Sequence, residues 1–508
     1  MRAQIREKND GTQPLEAWQR VSQVIFERWL KEICEKNPLI DLRYGWKVES
    51  VQELGDRVKV SAQKVESREP ASIMVDYVAG CDGASSNVRQ SLELPIDGGP
   101  VSSCVLLVHF KSRDLTRLHK QGQFWHIFFL QGAGLFSGAV IAQDEVDTWT
   151  THMFLPLDAD ETQLDSHEAI YRTLGGSHQP YEIKIDEILV RSVWRPNIAV
   201  ARQWAGASKR VFIAGDAAHQ LIPTGGYGMN TGVGDAYDLA WKLSAVINGY
   251  AGKGLLDSYE TERRPVAMRN SEHSGVHMTA HITACSLLAG NDLAEANSDT
   301  ETGKEIRSKV HEHYQNHIGE NTDLGIEMGY RYQSSVIIPE SDGASEPPWT
   351  PSAYVPTTWP GSRPPHLFLE NGKAIFDELH PSAWTLVTFN DQPCGEEYII
   401  QAAQNSKVPM KHLNLSGESK AKELWERDLV LIRPDEHVAW RGQSVSSLDA
   451  AKNILATVTG NHAPKEDSKP SSAPVDVVKG PSKAFTATTG LATQTNTFHF
   501  EKISEFQR

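Results

Sequence analysis

The stretch VFIAGDAAHQLIPTGGYGMNTGVGDA, residues 211–236, runs from a short apolar strand through a glycine-rich loop into the start of a helix. The strand pattern ends at Gly215, and Asp216 follows at its carboxyl end, which is where ligands bind in open α/β sheets. A carboxylate there can accept hydrogen bonds from sugar or ribitol hydroxyls, whereas it would repel a phosphate. The stretch therefore predicts an α/β fold with a polyol-binding residue at Asp216.

The loop itself, PTGGYGMNTG, places Gly225, Gly226, Gly228 and Gly232 where a helix is expected to begin, so several backbone N–H groups should be uncovered by side chains. The start of a helix carries about half a positive elementary charge. It stabilises a phosphate or the negative charge on the pyrimidine ring of a reduced flavin. The alternative is a turn that only packs a helix on a sheet, but the ordered run of Gly-Asp, His, Pro-x-Gly-Gly and Asn favours a cofactor.

Two side chains in this stretch have alternative roles. His219 is of a type used in acid–base chemistry, but a hydrogen bond to the loop backbone is the favoured interpretation. Tyr227 is either a substrate-facing group or the apolar anchor of the loop, and the sequence does not separate the two.

A second motif, VAGCDGASSNVRQ at residues 78–90, also runs from a strand into a turn and a helix. Asp82 follows the strand, and Arg89 lies in the helix after it. A carboxylate and a guanidinium beside a strand end suit the hydroxyl and phosphate groups of a dinucleotide, respectively. This motif is less specific than the first, because Asp-Gly turns are common and an exposed arginine is usually solvated.

Composition excludes several classes. The chain has 508 residues and a formal charge of −15, which would repel nucleic-acid phosphates, so no nucleic-acid partner is expected. No run approaches about 18 uninterrupted apolar residues and the N-terminus is charged, so we expect no membrane span and a cytoplasmic location. The five cysteines form no C-x-x-C pair, which predicts neither a disulfide framework nor a metal site.

Periodicity elsewhere predicts α/β segments around a strand-rich insert. Residues 19–36 have the spacing of an amphipathic helix, and the segments LIDLRYG, KVESVQEL and DRVKVSAQ alternate like strands. Residues 101–193 predict a mostly antiparallel sheet, and residues 234–249 a long helix. Near the C-terminus, SSLDAAKNILATV predicts a helix capped by Ser446 or Ser447.

The two motifs, in this order, resemble the second and third fingerprints of the FAD-dependent aromatic hydroxylases, the single-component flavoprotein monooxygenases. RVSQVIFERWL is similar to the family's glutamine-plus-helix segment, with Gln23 at the glutamine. WKLSAVINGYAGKGLLDSYETERRPVA resembles the helical segment that follows the ribitol-binding aspartate. PGSRPPHLFLENGKAIFDEL and LVLIRPDEHVAWRG resemble the thioredoxin-like C-terminal domain of the phenol 2-monooxygenase-like branch.

The resemblance implies an α/β (mixed α+β) fold with an incomplete Rossmann-like domain for FAD and NAD(P), an inserted antiparallel-sheet substrate domain and a C-terminal thioredoxin-like domain. The expected divisions are a partial FAD-binding domain at 1–100, a β-rich substrate domain at 101–195, the FAD-binding continuation with helices at 196–345, a linker at 346–362, the thioredoxin-like domain at 363–460, and a tail at 461–508 that is disordered at least in part.

The resemblance also assigns roles. Asp216 would bond the FAD ribitol, Gln23 would contact the ribose or pyrophosphate region, and Asp82 and Arg89 would serve the nicotinamide nucleotide and brace the FAD. Gly226, Gly228, Met229 and Asn230 would line the isoalloxazine edge. The full set of cofactor-binding candidates is Gln23, Asp82, Arg89, Asp216, Pro223, Gly225, Gly226, Gly228, Met229 and Asn230. No catalytic residue is assigned.

The implied activity is that of an FAD-dependent monooxygenase that consumes NADPH or NADH and hydroxylates a phenolic or polyketide-derived aromatic substrate with O2. A homodimer through the C-terminal domain is a further expectation. The aromatic residues of the insert could wall the substrate pocket or simply belong to the core, which is the favoured interpretation for most of them. They are Phe124, Trp125, Phe128, Phe129 and Trp194.

The chain departs from the family pattern at its start. Family members open with a βαβ unit bearing G-x-G-x-x-G, whereas this sequence begins where a member is about a hundred residues along. Weak FAD binding is therefore expected, and the alternative is a truncated, non-catalytic relative that acts, if at all, as a structural or dimerising partner. Another flavoenzyme of the superfamily, such as an epoxidase, halogenase or reductase, is a weaker alternative.

Overall fold

The computed structural model describes residues 2–101, 103–115, 124–130, 136–144, 146–176, 178–288 and 293–462. The helices are α1 Arg2–Lys8, α2 Gln23–Lys36, α3 Asn87–Ser91, α4 Ser166–Gly175, α5 Tyr227–Ile247, α6 Lys253–Leu287, α7 Leu293–Ala296, α8 Glu301–Asn316, α9 Leu324–Met328, α10 Glu396–Asn405, α11 Ser419–Trp425 and α12 Leu448–Val458. The strands are β1 Trp46–Glu53, β2 Val58–Lys64, β3 Pro70–Val75, β4 Val78–Gly80, β5 Ile96–Pro100, β6 Ser103–Lys111, β7 His126–Leu130, β8 Phe136–Ala142, β9 Thr148–Pro156, β10 Glu187–Trp194, β11 Asn197–Ala201, β12 Val211–Ile213, β13 His219–Gln220, β14 Trp384–Thr388, β15 Met410–Asn414, β16 Leu429–Ile432 and β17 Val438–Gly442.

The two sequence motifs meet in a parallel strand pair. β12 pairs with β4, with Val211 opposite Val78 and Ile213 opposite Gly80. The carboxyl ends of both strands therefore lie at the same edge, and this edge carries the Asp82 and Asp216 turns. Buried apolar side chains from β12, α6 and the segment before β12 pack beneath the pair, which fixes the position of that edge.

The strand-rich insert forms a five-stranded antiparallel sheet in the order β10-β6-β9-β8-β7, as the alternation predicts. One face packs on α4, a helix that the sequence did not predict, and Phe110, Val140 and Trp149 are fully buried there. The other face carries aromatic and histidine side chains and adjoins α6. The insert is thus one packed sheet with its second face available to line a site.

The C-terminal unit is a mixed four-stranded sheet in the order β15-β14-β16-β17, flanked by helices. β14 pairs parallel with β15 and antiparallel with β16, because α10 crosses over between β14 and β15. Ser447 caps α12 by accepting a hydrogen bond from the Ala450 N–H, which confirms one of the two predicted caps. These units confirm the mixed α/β fold class. The proposed tail lies outside the described residues beyond residue 462.

Local structure differs from the sequence predictions at three points. The LIDLRYG segment forms turns and coil rather than a strand. The helix predicted at 234–249 begins earlier, at Tyr227, within the glycine-rich segment where the start of a helix is expected. α2 forms as predicted, but it has no buried residue, and Trp29 on its apolar stripe is 55% exposed. Among the helices of the described residues, none combines the length and apolarity that a bilayer crossing requires.

Candidate functional site

The Gly215-Asp216 turn is held by bonds to its backbone. The Gly215 N–H donates to Asp235 Oδ2 of α5 at 3.1 Å, and Arg89 Nη1 donates to the Ala217 carbonyl at 2.7 Å. The carboxylate of Asp216 is exposed and accepts no hydrogen bond from the described residues. The fold thus fixes the turn while leaving this carboxylate free to bond a ligand.

A buried charge cluster supports the turn from beneath. His219 Nε2 lies 2.6 Å from Asp235 Oδ2, and Arg263 Nε donates to Asp235 Oδ1 at 2.9 Å. Burial alone would raise the pKa of Asp235, but the hydrogen bond from His219 and the charge of Arg263 hold it below the usual value. The prediction that His219 bonds the loop backbone was therefore wrong. Its partner is a carboxylate, and its ring is fully buried.

The glycine loop has a conformation that side chains would obstruct. Gly225 and Gly226 have φ values of 83° and 66°, and a Cβ on Gly225 would lie 2.4 Å from the Tyr227 ring. A Cβ on Gly226 or Gly228 would instead meet no atom within 4 Å. These two glycines therefore present bare backbone to open space beside the start of α5.

Not all of the loop N–H groups are available. The Gly225 N–H donates to Glu320 Oε1 at 2.9 Å, and the Gly226 N–H donates to the Pro223 carbonyl at 2.9 Å. No side chain caps α5, whose first turn begins at Tyr227. The partial positive charge predicted for the loop consequently resides in the first turn of α5, rather than at Gly225 and Gly226.

Three further candidates lie on the exposed side of this helix start. Pro223, Met229 and Asn230 are all exposed, and Asn230 Nδ2 donates to the Gly226 carbonyl at 2.8 Å. With Asp216 they give an open face that combines a carboxylate, an uncapped helix start and an exposed thioether.

The second motif is joined to the first through Arg89. Asp82 accepts hydrogen bonds from Ser86 Oγ at 2.5 Å and the Val88 N–H at 3.0 Å, and so supports the start of α3. Arg89 is buried, and its guanidinium bonds the carbonyls of Ala217 and Ala84. Its bond to the residue after Asp216 braces that turn, and its expected contact with FAD stays a prediction. Contact with a nicotinamide nucleotide stays a prediction for both residues.

Gln23 stands apart from the other candidates. It is the first residue of α2, and its amide donates to Glu27 Oε1 at 2.6 Å within the same helix. No hydrogen bond among the described residues joins it to the Asp82 or Asp216 turns. Its predicted contact with a nucleotide stays a prediction.

Comparison with known proteins gives the family. The FAD binding domain family matches residues 1–274, and the family described as aromatic-ring hydroxylase, C-terminal matches residues 357–462. The chain is 49% identical over 471 residues to the FAD-dependent monooxygenase apdD of Emericella nidulans, an alignment that covers 90% of this chain and 75% of that protein. This chain belongs to the FAD-dependent monooxygenases.

Two other monooxygenases support the assignment. The FAD-dependent monooxygenase opdD of Penicillium oxalicum is 44% identical over 469 residues, covering 91% of this chain and 89% of that protein. The crystal structure of the flavin-dependent monooxygenase PieE in complex with FAD and substrate superposes with a TM-score of 0.74 at 29% identity, covering 87% of this chain and 80% of that one.

The exposed face of this monooxygenase fits a flavin. Asp216 is a carboxylate without a partner among the described residues, at a strand end where a polyol hydroxyl would bond it. The absence of a Cβ at Gly226 and Gly228 leaves open space in which a flavin ring can approach the backbone. The uncapped start of α5 suits the negative charge of a reduced flavin ring.

Tyr227 has the anchoring role of its two predicted alternatives, and histidines of α6 that the sequence analysis did not select lie beside it. Tyr227 is buried, and its hydroxyl lies 2.9 Å from His277 Nε2, so the tyrosine anchors the loop to α6. His281, one turn further along α6, lies 2.6 Å from Glu320 Oε2. The spacing of His273, His277 and His281 by four residues was a signal that could have placed them on one face of a helix.

The five aromatic residues that could wall a substrate pocket are divided between the face of the sheet that adjoins α6, the core of the insert and a contact with Trp18. Phe128 packs against His281 with ring centroids 5.1 Å apart, and Trp194 lies edge-on to His152 at 6.3 Å. Phe124 and Phe129 pack against the core of the insert. Trp125 instead contacts Trp18, with ring centroids 4.3 Å apart.

Proposed function

We propose that this chain hydroxylates a phenolic or polyketide-derived aromatic substrate with O2, using FAD and either NADPH or NADH. The observation that carries the proposal is the exposed carboxylate of Asp216, unpartnered among the described residues, beside the uncapped start of α5. An aromatic face on the inserted sheet, which includes Phe128, supports a planar aromatic substrate. The five cysteines are scattered and form no C-x-x-C pair, which supports a reducing compartment such as the cytoplasm.

In this proposal the chain orients the cofactor and excludes water. Asp216 accepts hydrogen bonds from the ribitol, while Gly228, Met229 and Asn230 line the isoalloxazine edge. Gln23 contacts the ribose or pyrophosphate region, and Asp82 and Arg89 serve the nicotinamide nucleotide. When bound, FAD supplies the redox chemistry that passes one atom of O2 to the aromatic ring.

Turnover of the whole chain tests this function. The purified protein is incubated with FAD, NADPH or NADH, and a panel of phenolic polyketides, and the products are analysed by mass spectrometry. We expect the nicotinamide nucleotide to bleach the flavin absorbance and the substrate to gain one oxygen atom derived from O2. Flavin that is neither retained nor bleached would contradict the proposal.

A second candidate is a non-catalytic member of the family that does not retain FAD and acts, if at all, as a structural or dimerising partner through its C-terminal domain. It is favoured by α2, which has no buried residue and exposes Trp29 and Ile25. Protein that stays colourless after incubation with FAD and elutes as a dimer would support this candidate. A dimer that is yellow and active would support the hydroxylase with the expected C-terminal contact.

A further inference from the structure

Three side chains beside the glycine loop form a continuous hydrogen-bonded chain. Glu320 Oε2 lies 2.6 Å from His281 Nε2, and His281 Nδ1 lies 3.2 Å from the hydroxyl of Tyr314. They come from three elements: the short turn before α9, helix α6 and helix α8. The function described so far uses none of these groups.

The direction of these hydrogen bonds follows from the carboxylate. Burial would raise the pKa of Glu320, but the bonds from His281 and the Gly225 N–H hold it below the usual value, so the carboxylate is ionised and only accepts. Nε2 of a neutral His281 must then carry the proton, which leaves Nδ1 as an acceptor for the hydroxyl of Tyr314. The lone pairs of that hydroxyl oxygen remain able to accept a further hydrogen bond.

The chain of bonds lies between the cofactor loop and the aromatic face of the inserted sheet. Glu320 Oε1 accepts the N–H of Gly225, so the carboxylate is tied directly to the glycine loop. The His281 ring packs against Phe128 and Phe136, with centroids 5.1 and 5.8 Å away. A planar substrate on these rings would have the chain of bonds at its edge.

We propose that Tyr314, His281 and Glu320 form a proton relay that removes the proton from the phenolic hydroxyl of the substrate. The phenol proton passes to the Tyr314 oxygen as the Tyr314 proton passes to His281 Nδ1. The products are a phenolate and an imidazolium paired with Glu320, so charge and protons balance. The electron-rich phenolate is the form of the ring that accepts an oxygen atom. The relay rests on the hydroxylase function proposed above.

Tyr314 passes the proton on and is not itself the base. Burial raises the pKa of Tyr314 to about 12, so its hydroxyl stays protonated at neutral pH. His281 is the group that holds the proton, and Glu320 is a positioning residue that fixes its tautomer and stabilises its charged form.

Other titratable groups surround the relay. On α6 they are His277 and Cys285, and Asp323 follows the turn that carries Glu320. From the inserted sheet His126 faces the relay, and burial together with nearby Arg20 lowers its pKa to about 4. His126 is therefore neutral at the pH where the relay operates and does not compete for the proton.

Ionisation of a bound phenol tests the relay without turnover. The probe is 4-nitrophenol labelled with carbon-13 at the hydroxyl-bearing carbon, whose chemical shift reports ionisation. It is titrated with pH on the full chain, with and without FAD. We expect bound probe to ionise about one pH unit lower than free probe, and Tyr314→Phe and His281→Ala to remove that shift. Tyr171→Phe is the matched control, because Tyr171 is also half-buried and its hydroxyl bonds a single backbone carbonyl, that of Ile183.

The variant Glu320→Gln tests whether Glu320 positions the proton of His281, and it does so without disturbing the fold. The glutamine oxygen can still accept the Gly225 N–H, but the amide nitrogen would donate to His281 Nε2 and force the proton onto Nδ1. We expect this variant to fold and to lose the shift in probe ionisation. The relay is overturned if Tyr314→Phe and Glu320→Gln ionise the probe like the wild type, or if the wild type does not bind or ionise it.

Turnover distinguishes failure of the relay from failure of the hydroxylase function. In the FAD-loaded protein, Tyr314→Phe should slow hydroxylation by about a hundredfold while the nicotinamide nucleotide bleaches the flavin as in the wild type. Unbleached flavin in every variant would reject the hydroxylase function, and the probe titration alone would then decide whether the relay exists. Undiminished hydroxylation in Tyr314→Phe would reject the relay alone.

Discussion

The two faces of α5 differ from those of an ordinary surface helix, because charged side chains are buried beside apolar ones on the inner face and apolar side chains are exposed on the outer face. Its inner face buries Asp235, Asp238 and Lys242, whereas its outer face leaves Met229 55% and Val233 53% exposed. Helices normally turn apolar residues inward and charges outward. The difference teaches that the inner face is held by charge pairing as well as by apolar packing, and that the outer face carries apolar surface for something that binds there.

The inner face of α5 joins the region that matches the FAD binding domain family to the C-terminal unit. Arg433, from the loop between β16 and β17, donates to Glu262 Oε1 at 2.8 Å and Asp238 Oδ1 at 3.0 Å, and also bonds Asp435. Lys242 Nζ contacts Glu262 Oε2 at 2.6 Å. Burial raises the pKa of Asp238, whereas Arg433 and Lys242 outweigh the burial of Glu262 and lower its pKa. All five groups are buried, so the cluster tolerates no missing member.

The largest effect is expected from breaking this inner cluster. Arg433→Met would leave the buried carboxylates of Glu262, Asp238 and Asp435 short of a cation and should lower the free energy of unfolding by about 3 to 5 kcal/mol. Chemical denaturation measures the change. Arg57→Met is the matched control, because Arg57 is exposed and its ion pair with Asp76 and hydrogen bond to the Met74 carbonyl both lie at the surface, so it should cost about 0.5 kcal/mol or less. If the two variants lost the same free energy of unfolding, the buried cluster would contribute no more to stability than a surface ion pair.

His366 tests the effect of burial on a titratable side chain that, unlike those of the inner cluster, has no charged hydrogen-bond partner in the part of the chain that the structure describes. His366 is 3% exposed, and neither ring nitrogen has a hydrogen-bond partner among the described residues. Burial, aided by the charge of Arg363, lowers its pKa from 6.5 to about 4. The unfolded chain binds the proton first, so the free energy of unfolding should fall by about 3 kcal/mol as pH drops from 6.5 to 4.

Denaturation at several pH values checks that prediction. His366→Leu places an apolar side chain at this buried position and should flatten this part of the pH profile, because leucine has no proton to bind. A variant whose profile still falls as steeply as the wild type would show that the loss of stability originates elsewhere.

Substitution of Asp216, in the turn beside the start of α5, is expected to weaken ligand binding without changing stability. Asp216→Ala removes an acceptor that the fold does not use, so unfolding should be unchanged while FAD binds roughly tenfold or more weakly. Asp257→Ala, an exposed aspartate on α6, should change neither quantity. Fluorescence titration with FAD measures the affinity. Equal FAD affinity in both variants would show that Asp216 does not hold the ribitol.

The smallest effect is expected from Val233→Thr. The side chain is exposed on the outer face, so the free energy of unfolding should change by less than about 0.5 kcal/mol. A clear loss of stability in the protein without FAD, seen by thermal denaturation, would mean that this face is already covered in solution.

The sequence predicted the parts that depend on local pattern. β12, the helix start in the glycine-rich segment, the antiparallel insert and the Ser447 cap follow from alternation and from residue type. The partners of the loop could not be predicted this way, because Gly225 bonds Glu320 across 95 residues and no periodicity records such a contact. Likewise the partner of His219 could not be predicted, because Asp235 lies 16 residues further along the chain and no pattern in the sequence pairs the two. The exposure of α2 could not be predicted either, because the spacing of its apolar residues indicates an apolar face but does not show whether another part of the protein covers that face.

Amide hydrogen exchange with and without FAD tests the central claim most directly, because it reports both faces of α5 in one experiment. We predict that FAD slows exchange at the first-turn amides of Tyr227, Gly228 and Met229 and at the Asp216 turn, while amides around Arg433 are unaffected. Protection confined to other segments, or none at the start of α5, would contradict the assignment of this face to the flavin.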